Sequence, residues 1–170
     1  MAQELAVPAG SMVLSNGFFL TTEWADANRL EVSDSLEVFA KQDDRYLYLG
    51  IRTPRSSHTG IDLFIASTQN SRHHLHVSSA LSEAIYSNSN WSDSKWEENT
   101  WWVANKIGLY QDDSGRRTSE PEGFEFQISL DKLKSNDVAL ALHLKRPDLK
   151  YPADLEDSSI SNWLRLILNN

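Results

Sequence analysis

The chain contains no cysteine. That excludes disulfide scaffolds, thiol catalysis and cysteine-bound zinc, and it fits either redox compartment. Basic residues are outnumbered, 16 Lys and Arg against 24 Asp and Glu, for a net charge of −8. Nucleic acid is excluded as a partner on that ground, because phosphate neutralisation needs a basic face. The one basic pair, Arg116-Arg117, sits among Asp112, Asp113, Glu120 and Glu122 and reads as solvated loop charge. No run approaches the ~20 apolar residues that span a bilayer. Met1 to Ser11 lacks the basic start and sustained apolar stretch of a secretory signal. The sequence also shows no serine elbow, no paired helical histidines and no phosphate loop, so no enzyme is expected. Scattered carboxylates such as Asp93, Glu97 and Glu98 are candidates for a hydrolytic pair, but the sequence sets no separation between them.

What is present is alternation with a period of two. Leu47, Leu49 and Ile51 share one face, and Tyr46, Tyr48 and Arg52 the other. Similar rows are Ile61, Leu63 and Ile65; Phe124, Phe126, Ile128 and Leu130; and Val138, Leu140, Leu142 and Leu144. A last strand turns Leu164, Leu166 and Leu168 inward, with Trp163 and Arg165 on the opposite side. Further strands are expected over Leu36 to Gln42, Arg72 to Ser79 and Trp101 to Tyr110. Thr22 and Ser129 are candidate caps for two short helical turns. The fold class is therefore all-β, a two-sheet antiparallel β-sandwich of jelly-roll or immunoglobulin-like type with one or two short helical turns. At 170 residues it forms one domain, 13–170, preceded by a flexible tail over 1–12.

Three long polar stretches join the strands: Ser87 to Thr100, Gln111 to Gly123 and Arg146 to Ser161. The first leads into the densest aromatic run. Of six tryptophans, four (Trp91, Trp96, Trp101 and Trp102) lie within it or just beyond it, amid Asn, Ser, Asp and Glu. Flat aromatic rings stack on the apolar faces of sugar rings, while neighbouring amides and carboxylates bond the hydroxyls. Of adjacent Trp101 and Trp102 on a strand, one points in and the other out. Trp24 and Trp163 read as structural. In His73-His74-Leu75-His76, the second and third histidines share a strand face. Two ligands are too few for a metal, and no acidic motif at fixed spacing completes them. No metal site is therefore assigned. A place on the outer face together with Tyr48, Arg52 and His143 suits His76 as a polar contact.

The order of Asn16-Gly17, Trp24 in a short turn, Leu47-Tyr48-Leu49, Asp62-Leu63-Phe64-Ile65, Phe124 to Leu130 and the closing Trp163-Leu164-Arg165-Leu166 resembles carbohydrate-binding module family 9 and the related DOMON-like domains. The resemblance covers most of the chain and is strongest over Ser15 to Ala66. It implies a β-sandwich that binds a glycan without catalysis, in the periplasm or outside the cell. It also implies a pair of clamping tryptophans, one before the Ile61 strand and one before the final strand. This chain has Ser56-Ser57-His58-Thr59 at the first place and only Tyr151 at the second. Such modules often open with Asp-Gly, whose carboxylate helps bind calcium, where this chain has Asn16.

The combined expectation is a non-catalytic glycan-binding module using Trp91, Trp96, Trp102, His76 and Tyr151 at the loop-rich end of the sandwich. Calcium is open at Asp43-Asp44 or Asp62, and no other cofactor is expected. One rival is a structural or protein-interaction domain of the cell envelope. Another is a DOMON-type b-heme domain, which needs a methionine and a histidine, for which Met12 is poorly placed.

Overall fold

A computed structural model describes residues 2–53, 58–107, 122–156 and 159–169. It shows strands β1 (Glu4–Ala6), β2 (Asn28–Ser33), β3 (Leu36–Gln42), β4 (Tyr46–Arg52), β5 (Gly60–Thr68), β6 (Ser71–Val77) and β7 (Leu81–Ser87). These are followed by β8 (Asn90–Trp91), β9 (Lys95–Trp96), β10 (Trp102–Ala104), β11 (Gly123–Ser129), β12 (Asp137–Lys145), β13 (Leu149–Tyr151) and β14 (Leu164–Ile167). Two single helical turns interrupt them, α1 (Thr21–Trp24) and α2 (Leu130–Leu133). The strands form two sheets. The larger runs β1-β14-β12-β5-β6-β7-β8, with β13 beside β12 and β9 beside β7; the smaller runs β10-β11-β4-β3-β2. Pairing in both is antiparallel except for β1 on β14.

The apolar rows meet between the sheets. Ile61, Leu63, Ile65, Leu75, Val77, Leu140, Leu142, Leu144, Leu164 and Leu166 from one layer face Leu47, Leu49, Ile51, Phe124, Phe126 and Ile128 from the other. Trp102 lies in the same core, stacked on Phe126 with centroids 6.1 Å apart. Trp101 packs against the rim of this core, and its indole N–H donates to Glu83 at 2.6 Å. The first residues are not a loose tail: β1 extends the larger sheet, and Leu5 and Val7 enter the core. The apolar alternation of Leu5 and Val7 is the reason, since it gives the segment a face to bury.

The outer face of the smaller sheet is sealed by the chain between Gly10 and Ala27. Val13, Phe19 and Trp24 cover Phe39 and Tyr48 there. Gly50 makes room, because a Cβ at that position would lie 2.6 Å from the Phe19 ring and 3.0 Å from that of Trp24. Two buried charges anchor the covering segment. Glu125 accepts from the backbone N–H groups of Asn16 and Gly17, at 3.0 and 2.8 Å, and from the indole of Trp24, at 2.9 Å. Lys41, wholly buried, donates to the carbonyl of Glu23 and to Asp26. Burial opposes the Asp26 charge, but its bonds to Lys41 and Ser11 outweigh that and hold its pKa at about 2. Thus the Asn16-Gly17 turn and Trp24 are tied by one carboxylate to a strand more than a hundred residues away. Neither helical turn uses the expected cap: Leu20 occupies that position in α1, and Ser129 precedes α2 without a side-chain bond.

Glu125→Ala leaves two buried donors, the N–H of Gly17 and the indole of Trp24, without an acceptor. It is expected to lower the unfolding free energy by about 2–4 kcal/mol in urea denaturation. A pH effect follows from His73, which is buried against Trp101 at 4.8 Å. Burial, helped by the charge of Lys132, pushes its pKa down from 6.5 to about 4. The unfolded chain therefore binds this proton first as pH falls, so stability is full above 6.5 and declines toward 4. Over that window His73→Leu is expected to lessen the pH slope by up to about 1.4 kcal/mol per unit, measured by urea midpoints.

Candidate functional site

The outer face of the larger sheet is built from the residues between the aliphatic ones. Cα pairing sets them in rows across the strands. One row runs Lys150, His143, Asp62, His76, Ser82 and Trp96. The next holds Ala141, Phe64, His74 and Ala84. A third holds Ala139, Ala66, Arg72, Tyr86 and Trp91. Side chains opposite one another on paired strands share a face and touch. Trp163 closes one end of this surface by packing on Ala66, Ala139 and Ala141, with Leu155 and Ile160 beside it.

Trp91 and Trp96 reach this face through an irregularity at the sheet edge. After β7 the chain turns back at Asn88-Ser89, whose φ angles of 50° and 66° form a two-residue hairpin turn of the mirror type. Trp91 then opposes Tyr86 and Trp96 opposes Ser82, so five steps on one strand face four on the other. In a regular strand, residues five apart point to opposite faces. The one extra residue, taken up where Asp93 and Ser94 both fall opposite Ala84, brings both indoles to the same side. Ser92 fixes the near side of this bulge by exchanging hydrogen bonds with the backbone of Ile85. Glu97 fixes the far side, accepting from the N–H of Leu81 and from Lys106.

The indoles lean inward over the rows. Trp91 meets Tyr86, His74 and Phe64 at centroid distances of 5.3, 6.0 and 6.1 Å, and Trp96 meets His76 at 5.6 Å. Phe64 stacks on His74 at 4.7 Å. Both tryptophans remain half open to solvent, at 43% and 55%. Their opposing residues are four apart on β7, a span of about 13 Å at about 3.3 Å per residue. Only the small side chain of Ala84 lies between them in the register. The result is a trough with aromatic shoulders and a polar side.

Asp62 organises the polar side. Its Oδ1 receives His74 Nε2 at 2.8 Å and His76 Nδ1 at 2.7 Å, and its Oδ2 receives Lys145 at 2.9 Å. Lys145 also approaches His143 Nδ1 at 3.0 Å. Burial works against the Asp62 charge, but the bonds from His74, His76 and Lys145 outweigh it and hold the carboxyl far below the usual range. The acidic third member of the cluster, Asp62, thus comes from a strand neighbouring that of the histidine pair. Spacing along the chain carries no sign of it.

Of the expected contacts, the structure brings together Trp91, Trp96 and His76. Trp102 is buried in the core, where no ligand outside the sandwich can touch its ring. Tyr151 opposes the core residue Leu142, packs against the main core, and donates its hydroxyl to Gln3 at 2.8 Å. His143 shares the face of His76, whereas Tyr48 and Arg52 belong to the other sheet. The indoles stand on an interrupted edge strand rather than at a loop-rich end. Ser56 and Ser57 lie outside the described residues, as do Arg116-Arg117 and most of the Gln111 to Gly123 stretch; His58 is buried. Asp43 is engaged in the hairpin, accepting from the N–H groups of Arg45 and Tyr46 and from the hydroxyl of Tyr48. Met12 precedes Val13, which covers the smaller sheet, while His74, His76 and His143 line the far side of the larger one. No methionine–histidine pair for heme exists among the described residues.

Similarity to known proteins lies in the fold. No protein-family model matches the chain, and no curated protein sequence matches it. Two solved structures of a carbohydrate binding module family 9 from Caldicellulosiruptor kristjanssonii share the architecture at 12% sequence identity. The complex with cellotriose superposes with a TM-score of 0.54, covering 99% of this chain and 94% of that one. The complex with glucose gives 0.55, with 99% and 96% covered.

The hairpin offers a direct test of how the edge is positioned. Ser89 holds a left-handed conformation that costs a side chain about 1 kcal/mol or more. Ser89→Gly is expected to gain about 1 kcal/mol, seen as a higher thermal midpoint with unchanged tryptophan fluorescence.

Proposed function

We propose that this chain is a non-catalytic carbohydrate-binding module whose site is the trough between Trp91 and Trp96. One observation carries the reading: a bulge in the edge strand gathers two half-exposed indoles on the same face, beside a row of ionic and imidazole groups. Sugar rings are apolar above and below and polar around the rim. An indole shoulder takes a ring face, while Asp62, His76, Lys145 and Lys150 lie where hydroxyls would point. The two similar structures were solved with cellotriose and with glucose, which supports a β-glucan or its oligosaccharides as ligand. Such a ligand is in keeping with a module that works in the periplasm or outside the cell. No helix among the described residues is long and apolar enough to cross a membrane.

A protein-interaction role has one observation in its favour. Met12, Leu14 and Leu20 expose 62%, 60% and 52% of their surface on the segment that covers the smaller sheet. That patch lacks the convergent polar groups of the trough, and the glycan reading is preferred.

Isothermal titration with cello-oligosaccharides and glucose tests the proposal. Saturable binding is expected, weakened at least tenfold (about 1.4 kcal/mol) by Trp91→Ala and by Trp96→Ala. Silence across these sugars and a broad glycan array would move the function to the exposed apolar patch.

A further inference from the structure

We propose that Asp62, His74 and His76 form a binding site for a divalent transition cation of the zinc class, with a further coordination position open to solvent. The three ligand atoms all lie within 4.8 Å of one another. They come from two paired strands. Asp62 on β5 is directly opposite His76 on β6, and His74 follows two residues earlier on the same face. Rigid strands of a well-paired sheet thus hold the three donors, with no loop to order on binding.

The present contacts are close to what a cation requires. Zinc binds imidazole nitrogen and carboxylate oxygen at about 2.0–2.2 Å in tetrahedral geometry, which sets neighbouring donors about 3.3 Å apart. The Asp62–His74 and Asp62–His76 contacts, at 2.8 and 2.7 Å, need to open by only about half an ångström. In the metal-free protein both ring nitrogens facing Oδ1 carry a proton, since a carboxylate only accepts. A cation replaces both hydrogen bonds at once and moves each imidazole proton to the other ring nitrogen.

The surroundings suit such a site. Asp62 offers Oδ1 to the histidines while Lys145 holds Oδ2, the kind of outer contact that orients a ligating carboxylate. The His74 and His76 side chains are 28% and 24% exposed, so the donors are reachable. Two imidazoles and one carboxylate favour zinc, copper or nickel over calcium and magnesium, which take all-oxygen sets. The nearby ammonium of Lys145 keeps affinity moderate. This proposal does not rest on the glycan reading: the two share Asp62 and His76, but the cation site uses neither indole.

The test uses the full chain without a histidine tag, titrated with Zn2+ by calorimetry and with Co2+ by visible absorption. Binding at one ion per chain is expected, with cobalt bands of tetrahedral or five-coordinate type. Asp62→Asn and His74→Gln are each expected to weaken it at least tenfold, with near-ultraviolet circular dichroism confirming the fold. If either variant fails to fold, imidazole 15N shifts in the unsubstituted chain read the tautomer change on adding Zn2+. Lack of saturable binding overturns the site, as does binding that survives both substitutions or leaves the imidazole shifts unmoved. None of these outcomes bears on oligosaccharide titrations made without metal.

Discussion

The constraint on which everything else depends is the two-residue period of the strands in the larger sheet. On β6, His73, Leu75 and Val77 turn inward while His74 and His76 turn outward. On β5, Ile61, Leu63 and Ile65 alternate with Asp62 and Phe64 in the same way. A slip of one residue would put imidazoles in the core and leucines in the trough, so one register fixes both the packing and the site. The site needs no separate scaffold. It is the other side of the core.

The two outer faces are treated differently, and this decides where a ligand can bind. The smaller sheet is covered by the chain around Trp24, and its charges, Glu125 and Lys41, are buried and spent on holding that cover in place. The larger sheet is covered only in part, by Trp163 over three alanines. Where the alanines give way to Phe64, His74 and Asp62, the face opens to solvent. Two aromatic-rich surfaces therefore have opposite fates, one a structural seal and the other a trough: the charges of the first bond a covering segment, and those of the second bond one another within the sheet.

Much of this was legible in the sequence. Alternation around Leu47, Ile61, Phe124, Val138 and Leu164 identified both layers, because a half-buried strand repeats its burial every second residue. The polar setting of Trp91 and Trp96 marked them as surface rings. Other features depend on residues remote in the chain. The pairing of His74 and His76 with Asp62 crosses strands, so no spacing motif encodes it. The bulge opposite Ala84 is a property of two strands together and leaves no pattern in either alone. Trp102 and Trp101 look alike in sequence, and only the pairing of β10 with β11 turns the former to the core. Leu5 and Val7 offered too short a row to reveal β1. Tyr151 was placed by analogy of position, whereas its pairing with Leu142 directs it away from the trough.

The interrupted edge strand has one more effect. An unbroken strand at the border of a sheet exposes a ladder of unpaired peptide groups that invites a second molecule to add on and grow into aggregates. Here that border is made of two-residue pieces, Asn90–Trp91 and Lys95–Trp96, with a kink between them, so an incoming strand finds no continuous template. The same kink that gathers the indoles thus also helps to keep copies of the molecule apart.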